Sequence, residues 1–196
     1  MKLLKKQPIA ILLALVIIAG ATFFGANRSL RAASREATAQ FYAGVYDTAE
    51  SRVRPSIYGQ LEQRATASLR ILSIGEHSHG GDPALSTAET DLREARRTLV
   101  DLLASGTPSA LFEADQALEL AAERYAALLR PLIEAVDGED LDALDSAQNT
   151  MQNAARVIRE SGYNEAIRVF HRDVLGRFPT SFLMGIVFAD PPELFA

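Results

Sequence analysis

The chain has 196 residues, with 20 Lys or Arg against 25 Asp or Glu and a formal charge of -5. Beyond Asn27, 17 arginines face all 25 acidic residues, a net charge of about -8 that repels polyanions and argues against nucleic acid as a partner. Cysteine is absent, which excludes disulfides, thiolate metal sites and a cysteine nucleophile.

The three lysines, Lys2, Lys5 and Lys6, stand directly ahead of an uncharged, almost wholly apolar run from Ile9 to Ala26. As a helix that run covers roughly 27 Å, close to the hydrocarbon thickness of a bilayer, so residues 1–27 are expected to be a membrane anchor. A cleavable signal peptide is the rival, because Ala19-Gly20-Ala21 has the small-x-small form that signal peptidase accepts. The run continues through Phe23, Phe24 and Ala26 with no helix-loosening residue between Leu15–Ile18 and that site, which favours a retained anchor. Arg28, Arg31 and Arg35 balance the lysines in the positive-inside count, and the amino terminus adds one charge to the front segment. With a lysine cluster leading the span, the favoured topology is a single pass in the cell membrane, N-terminus cytoplasmic and body extracytoplasmic.

Residues 28–178 read as helices, since apolar positions recur at three and four residue steps and no stretch alternates convincingly at two. The first helix is expected to extend to about Tyr42, with a turn between Gly44 and Pro55. A helix on Ile57, Leu61, Ala65, Leu69 and Leu72 follows, then a loop from Glu76 to Pro83 that holds Gly80 and Gly81. Ser86-Thr87-Ala88-Glu89 has the form of a capping box and predicts the start of a helix lined by Leu92, Ala95, Leu99 and Leu102.

Gly106-Thr107-Pro108 supplies a stop residue, an N-cap and a proline at a permitted first position, so a new helix should begin there. Its stripe is Leu111, Ala114, Leu118, Ala121, Tyr125, Leu128 and Leu132, ending near Asp137-Gly138, with Pro131 expected to kink or shorten the last turns. A near-heptad stripe of Leu144, Met151, Ala155, Ile158, Tyr163, Ile167, Phe170, Val174 and Phe178 predicts one helix from about Asp140 to Phe178. Gly162 interrupts that stripe at a bend or a close contact. The fold class is therefore all-α, an anchor followed by an antiparallel bundle of three to four helices. Residues 179–196 form an apolar tail, expected to fold back over the bundle or to dock on a partner or the membrane surface.

Ligand-type chemistry gathers in Glu76-His77-Ser78-His79-Gly80-Gly81-Asp82, where His77 and His79 are the metal candidates. Their i,i+2 spacing on a glycine-rich loop is not a diagnostic ligand pattern, and a solvated connection is the preferred reading. Ser78 lacks the first glycine and the strand of a nucleophile elbow. Asp137, Glu139, Asp140, Asp142 and Asp145 lack EF-hand spacing and suit a helix N-terminus instead. His171, single and beside Phe170, reads as a surface or boundary histidine. With neither catalytic set nor cofactor signature, the expected function is non-enzymatic association with an envelope protein partner. The alternative is an extracytoplasmic sensor or small-ligand binder, since bundles place pockets between helices.

An N-terminal anchor, a helical body, Tyr163-Asn164-Glu165-Ala166-Ile167, Phe170, Phe178-Pro179 and a tail bearing glycine and phenylalanine together resemble the LemA family. Phe41-Tyr42-Ala43-Gly44-Val45, Ser56-Ile57 and Leu61-Glu62-Gln63-Arg64-Ala65 are similar to its more divergent members, and the likeness covers most of the chain but is specific only in the last 35 residues or so. It implies a single-pass membrane protein with an antiparallel helical bundle and no established catalytic activity. The chain departs from the family pattern at Phe170-His171, in place of a second Tyr-Asn pair, and at Glu160, in place of an arginine. Tyr163, Phe170 and Phe178 are expected to be core anchors, with Asn164 capping or bridging between helices.

Overall fold

The computed structural model describes residues 7–47, 51–77, 82–134, 138–176 and 191–196. They form α1 (Gln7–Tyr42), a hairpin of β1 (Val45–Asp47) and β2 (Arg52–Arg54), α2 (Ile57–His77), α3 (Pro83–Ser105), α4 (Pro108–Glu134), α5 (Gly138–Glu160) and α6 (Tyr163–Phe170). A π-helical turn, His171–Leu175, follows α6. The chain divides into two compact units. One comprises Met1–Ala37 and Val169–Pro192, and the other comprises Thr38–Arg168 and Glu193–Ala196.

The second unit is a helical bundle built on α2 to α5, and polar pairs between its helices fix their directions. Arg96 of α3 donates to the Ala65 carbonyl of α2 at 3.0 Å, while Arg93, one turn earlier, reaches Glu76 near the other end of α2 at 2.7 Å. These two helices therefore run antiparallel. The pairs Arg124–Asp91 between α4 and α3 and Arg130–Asp145 between α4 and α5 repeat the pattern, giving an up-down-up-down order as short connections favour. On the inner faces lie Leu61, Ile71 and Leu72 of α2, Leu92 and Leu99 of α3, Leu118 and Leu129 of α4, and Leu144 and Ala147 of α5, all nearly inaccessible.

Several boundaries differ from the sequence reading. α3 starts three residues before the capping box: Asp82 is its N-cap, accepting from Ala84 N–H at 2.8 Å, and Pro83 takes the first position with no N–H to leave unsatisfied. Thr107 and Pro108 open α4 as expected, and α4 runs on through Pro131 to Glu134. The helix expected from Asp140 to Phe178 is broken at Gly162. That residue holds φ +75°, a left-handed conformation that separates the end of α5 at Glu160 from the start of α6 at Tyr163. Where a plain turn was expected between Gly44 and Pro55, β1 and β2 pair antiparallel with Tyr46 opposite Val53. Gly44 enters that hairpin at φ +72°, and a Cβ there would lie 2.6 Å from the Arg54 carbonyl.

In the first unit, α1 carries the uncharged run from Ile9 to Ala26, although the side chains of residues 1–12, 15, 19, 22 and 26 lie outside the described set. Among the described residues no helix is long and apolar enough to cross a membrane. Leu13, Val16, Ile17, Ile18 and Phe24 of α1 are each at least 60% exposed.

Candidate functional site

Two polar arrangements stand out in the bundle unit. The first is a buried charge set at Arg64, the largest fully buried side chain among the described residues. It occupies a core-facing position of α2, three residues after Leu61 and four before Ser68. Asp115 interrupts the α4 stripe in the same way between Leu111 and Leu118. Arg64 Nε lies 2.6 Å from Asp115 Oδ1, a close ion pair off the angle of a hydrogen bond. Its Nη1 donates to the Met151 carbonyl of α5 and its Nη2 to Glu119 Oε2, both at 3.2 Å.

One arginine thus ties α2, α4 and α5 together. Burial of Asp115 pushes its carboxyl up to about 6, and the Arg64 charge offsets only part of that. Beside this set lies a crevice of about 20 Å³ lined by Arg64, Glu119, Glu123, Gln148 and Gln152 with apolar Ile71, Ala122 and Met151. That is room for about one water molecule.

The second arrangement is a slot at the end of the bundle where α1 finishes and α4 and α6 begin. Phe41 of α1 is fully buried, with its ring 5.3 Å from that of Tyr163 at the start of α6. The Phe195 ring enters between Phe41, at 5.8 Å, and Phe112 of α4, at 5.2 Å and nearly perpendicular. Both are edge-to-face or tilted contacts of the kind aromatic quadrupoles favour.

Polar groups then grip the main chain of the same segment. Asn164 Nδ2 donates to the Phe195 carbonyl at 2.7 Å, and Asn164 Oδ1 accepts from Phe195 N–H at 2.8 Å. Tyr163 donates its hydroxyl to the Glu193 carbonyl at 2.7 Å, and Ser109 donates to Glu193 Oε2 at 2.9 Å. Burial holds the Tyr163 phenol well above its ordinary range, so it stays a donor at any physiological pH. Gln40 donates to the Ser161 carbonyl behind the slot and fixes the end of α1 against the α5–α6 break.

Tyr163 and Asn164 therefore lie together in this slot, Tyr163 buried and Asn164 half-buried with its amide both donating to and accepting from Phe195. Phe170 is buried at the end of α6. Phe178, Pro179 and the tail run Phe182–Phe188 lie outside the described residues. His77 ends α2, with its side chain outside the described set, and His79 is outside it altogether; among the described residues no group of three or more His, Asp or Glu could hold a metal ion. Of the acidic run, Glu139 and Asp140 occupy the first turn of α5 and Asp145 pairs with Arg130, while Asp137 is outside the described residues. His171 bonds through Nε2 to the Pro192 carbonyl at 2.8 Å, so that nitrogen carries its proton.

Sequence reasoning missed Arg64, Asp115, Phe112 and Phe195. A signal existed for the first two, since opposite charges interrupt two apolar stripes in register. For the aromatics there was none, because only the folded chain brings residues 41, 112 and 195 to one place.

No family model, curated protein or solved structure matches the chain.

Proposed function

We propose that the protein is a membrane-anchored, non-enzymatic helical bundle of the cell envelope that works by associating with another protein. The LemA-like character of Tyr163-Asn164 and its surroundings belongs to the same proposal. The single observation that carries the membrane part is the row of exposed Leu13, Val16, Ile17, Ile18 and Phe24 on α1. In water such a surface is a liability, and in an uncharged run of bilayer length it is what lipid requires. N-terminus inside and body outside remains the favoured topology, on the lysine cluster that leads the run.

In the bundle unit Arg64 is consumed by the ion-pair set, and the crevice beside it holds about 20 Å³. A small organic ligand finds no room in that crevice, and a larger space on the bundle, an open groove of about 450 Å³ beside Glu62, Gln63, Thr66, Arg70 and Thr150, is where the sensor reading would place one. The slot, by contrast, grips a polypeptide main chain. The test is fractionation followed by affinity recovery. After alkaline carbonate washing the chain should stay in the membrane pellet, and gentle detergent extraction should bring down one envelope protein in near-stoichiometric amount. Release into the supernatant would remove the anchor, and recovery of the chain alone would remove the association.

A further inference from the structure

The slot at Phe41, Phe112, Tyr163 and Asn164 treats Glu193–Ala196 as a peptide ligand is treated. Asn164 presents one donor and one acceptor to the C=O and N–H of a single residue, Phe195, as the facing residue does in a hydrogen-bonded antiparallel pair. The other main-chain bond, from Tyr163, falls two residues earlier at Glu193, which is the repeat of an extended strand. Two side-chain features are read besides: the Phe195 ring, seated between Phe41 and Phe112, and the Glu193 carboxylate, held by Ser109. Main-chain bonds for affinity and alternate side chains for specificity are how proteins recognise extended peptides. The walls come from three elements of the bundle unit, the end of α1 and the starts of α4 and α6.

We propose that this slot is a peptide-docking site, filled in cis by Glu193–Ala196 and open to an extended segment of a partner protein that carries an acidic residue two positions before a phenylalanine. This rests on the association reading above and gives the partner its chemistry. The tethered segment competes at an effective concentration in the millimolar range, so a partner segment must either bind well or act when the cis segment is displaced.

The probe is a labelled peptide, Pro-Pro-Glu-Leu-Phe-Ala, titrated by fluorescence polarisation in detergent against the intact chain and a chain ending at Pro192. The shortened chain should bind it saturably, and the intact chain about tenfold or more weaker. Asn164→Ala in the shortened chain, or alanine for phenylalanine in the peptide, should each abolish most of the binding. Phe195→Ala in the intact chain vacates the aromatic slot without removing the segment and should also open it to the peptide.

A shortened chain that melts cooperatively yet ignores the peptide overturns the proposal, and so does equal binding by intact and shortened chains. Loss of a cooperative melt in both variants makes Glu193–Ala196 an integral part of the core and overturns it as well. Dimerisation of the intact chain that disappears in Phe195→Ala would assign the slot to a second copy, against the partner proposed. Peptide binding without any envelope protein in the affinity recovery leaves the slot standing and removes the association reading; the converse result removes the slot alone.

Discussion

Arg64 and Asp115 meet across the diagonal of the bundle, between helices that are not neighbours in sequence, with Nε and Oδ1 2.6 Å apart. About three turns further along the same two helices, Gly75 faces Tyr125. One diagonal contact is charged and the other steric, and both set the same parallel register of α2 on α4. A slip of one helical turn would bury an unpaired guanidinium and drive the Tyr125 ring into a bulkier residue at the same time.

The charged contact should behave as buried pairs do, with each half costly to lose alone. Arg64→Met leaves the Asp115 carboxylate desolvated, and Asp115→Leu leaves the guanidinium with only Glu119 and a carbonyl. Each single change is expected to lower the unfolding free energy by about 3–5 kcal/mol. The double variant, apolar on both sides, should recover most of that loss. Urea unfolding of the four proteins in one detergent measures it. Additive losses in the double variant would mean that the two side chains do not act as a pair.

The same aspartate makes stability depend on pH. Its folded-state pKa, about 6, lies above the ordinary 3.8, so the folded protein holds this proton more tightly than the unfolded chain. The contribution is fully present below about pH 4 and is lost as pH rises towards about 6, above which it stays constant. Its size is at most about 3 kcal/mol. Unfolding free energies at pH 4 and pH 7, compared between wild type and Asp115→Asn, isolate it from the other carboxylates. The wild type should lose more stability than the variant across that interval; equal slopes would refute the shift.

How much of this was legible in the sequence depends on whether a signal was local. Thr107-Pro108 and the stripes through Leu99, Leu118 and Leu144 announced helices because capping chemistry and periodicity act within a few residues. Asp82-Pro83 is equally local, but it overlaps within about one turn with the competing start signal Ser86-Thr87-Ala88-Glu89. The β1–β2 hairpin escaped because three-residue strands are too short to show a period of two. The partnership of Asn164 with Phe195 lies beyond any local rule, since it depends on how the end of the chain returns to the start of α6.

The steric contact at Gly75 predicts an asymmetric pair of effects. A Cβ at Gly75 would fall 1.7 Å from the Tyr125 hydroxyl oxygen and 2.7 Å from Cζ, so Gly75→Ala must displace the ring and should cost about 1–3 kcal/mol. Among the described residues that buried hydroxyl has no hydrogen-bond partner, and burial pushes its pKa up to about 12. Tyr125→Phe therefore removes an unsatisfied group and is expected to be neutral or to stabilise by about 1 kcal/mol or more. In Gly75→Ala the added Tyr125→Phe change should recover part of the loss, but not all, because Cζ remains close. Thermal melts of the three variants against wild type measure this. A clearly destabilised Tyr125→Phe would show that the hydroxyl has a partner in solution.

Asn164 offers the most local test of how the end of the chain is held. Its amide accepts from Phe195 N–H and donates to Phe195 C=O, so Asn164→Ala removes both bonds and Asn164→Asp keeps an acceptor while losing the donor. At about 0.5–1.5 kcal/mol per bond, the alanine variant should weaken the docking of Glu193–Ala196 by about 1–3 kcal/mol, and the aspartate variant by at least as much, because one carboxylate oxygen would then face the Phe195 carbonyl oxygen. Hydrogen exchange reads it residue by residue. Protection of the Phe195 amide should fall in both variants relative to wild type, while the core amide of Leu118 keeps its protection in all three. An unchanged Phe195 amide in Asn164→Ala would mean that the rings of Phe41 and Phe112 alone hold the segment.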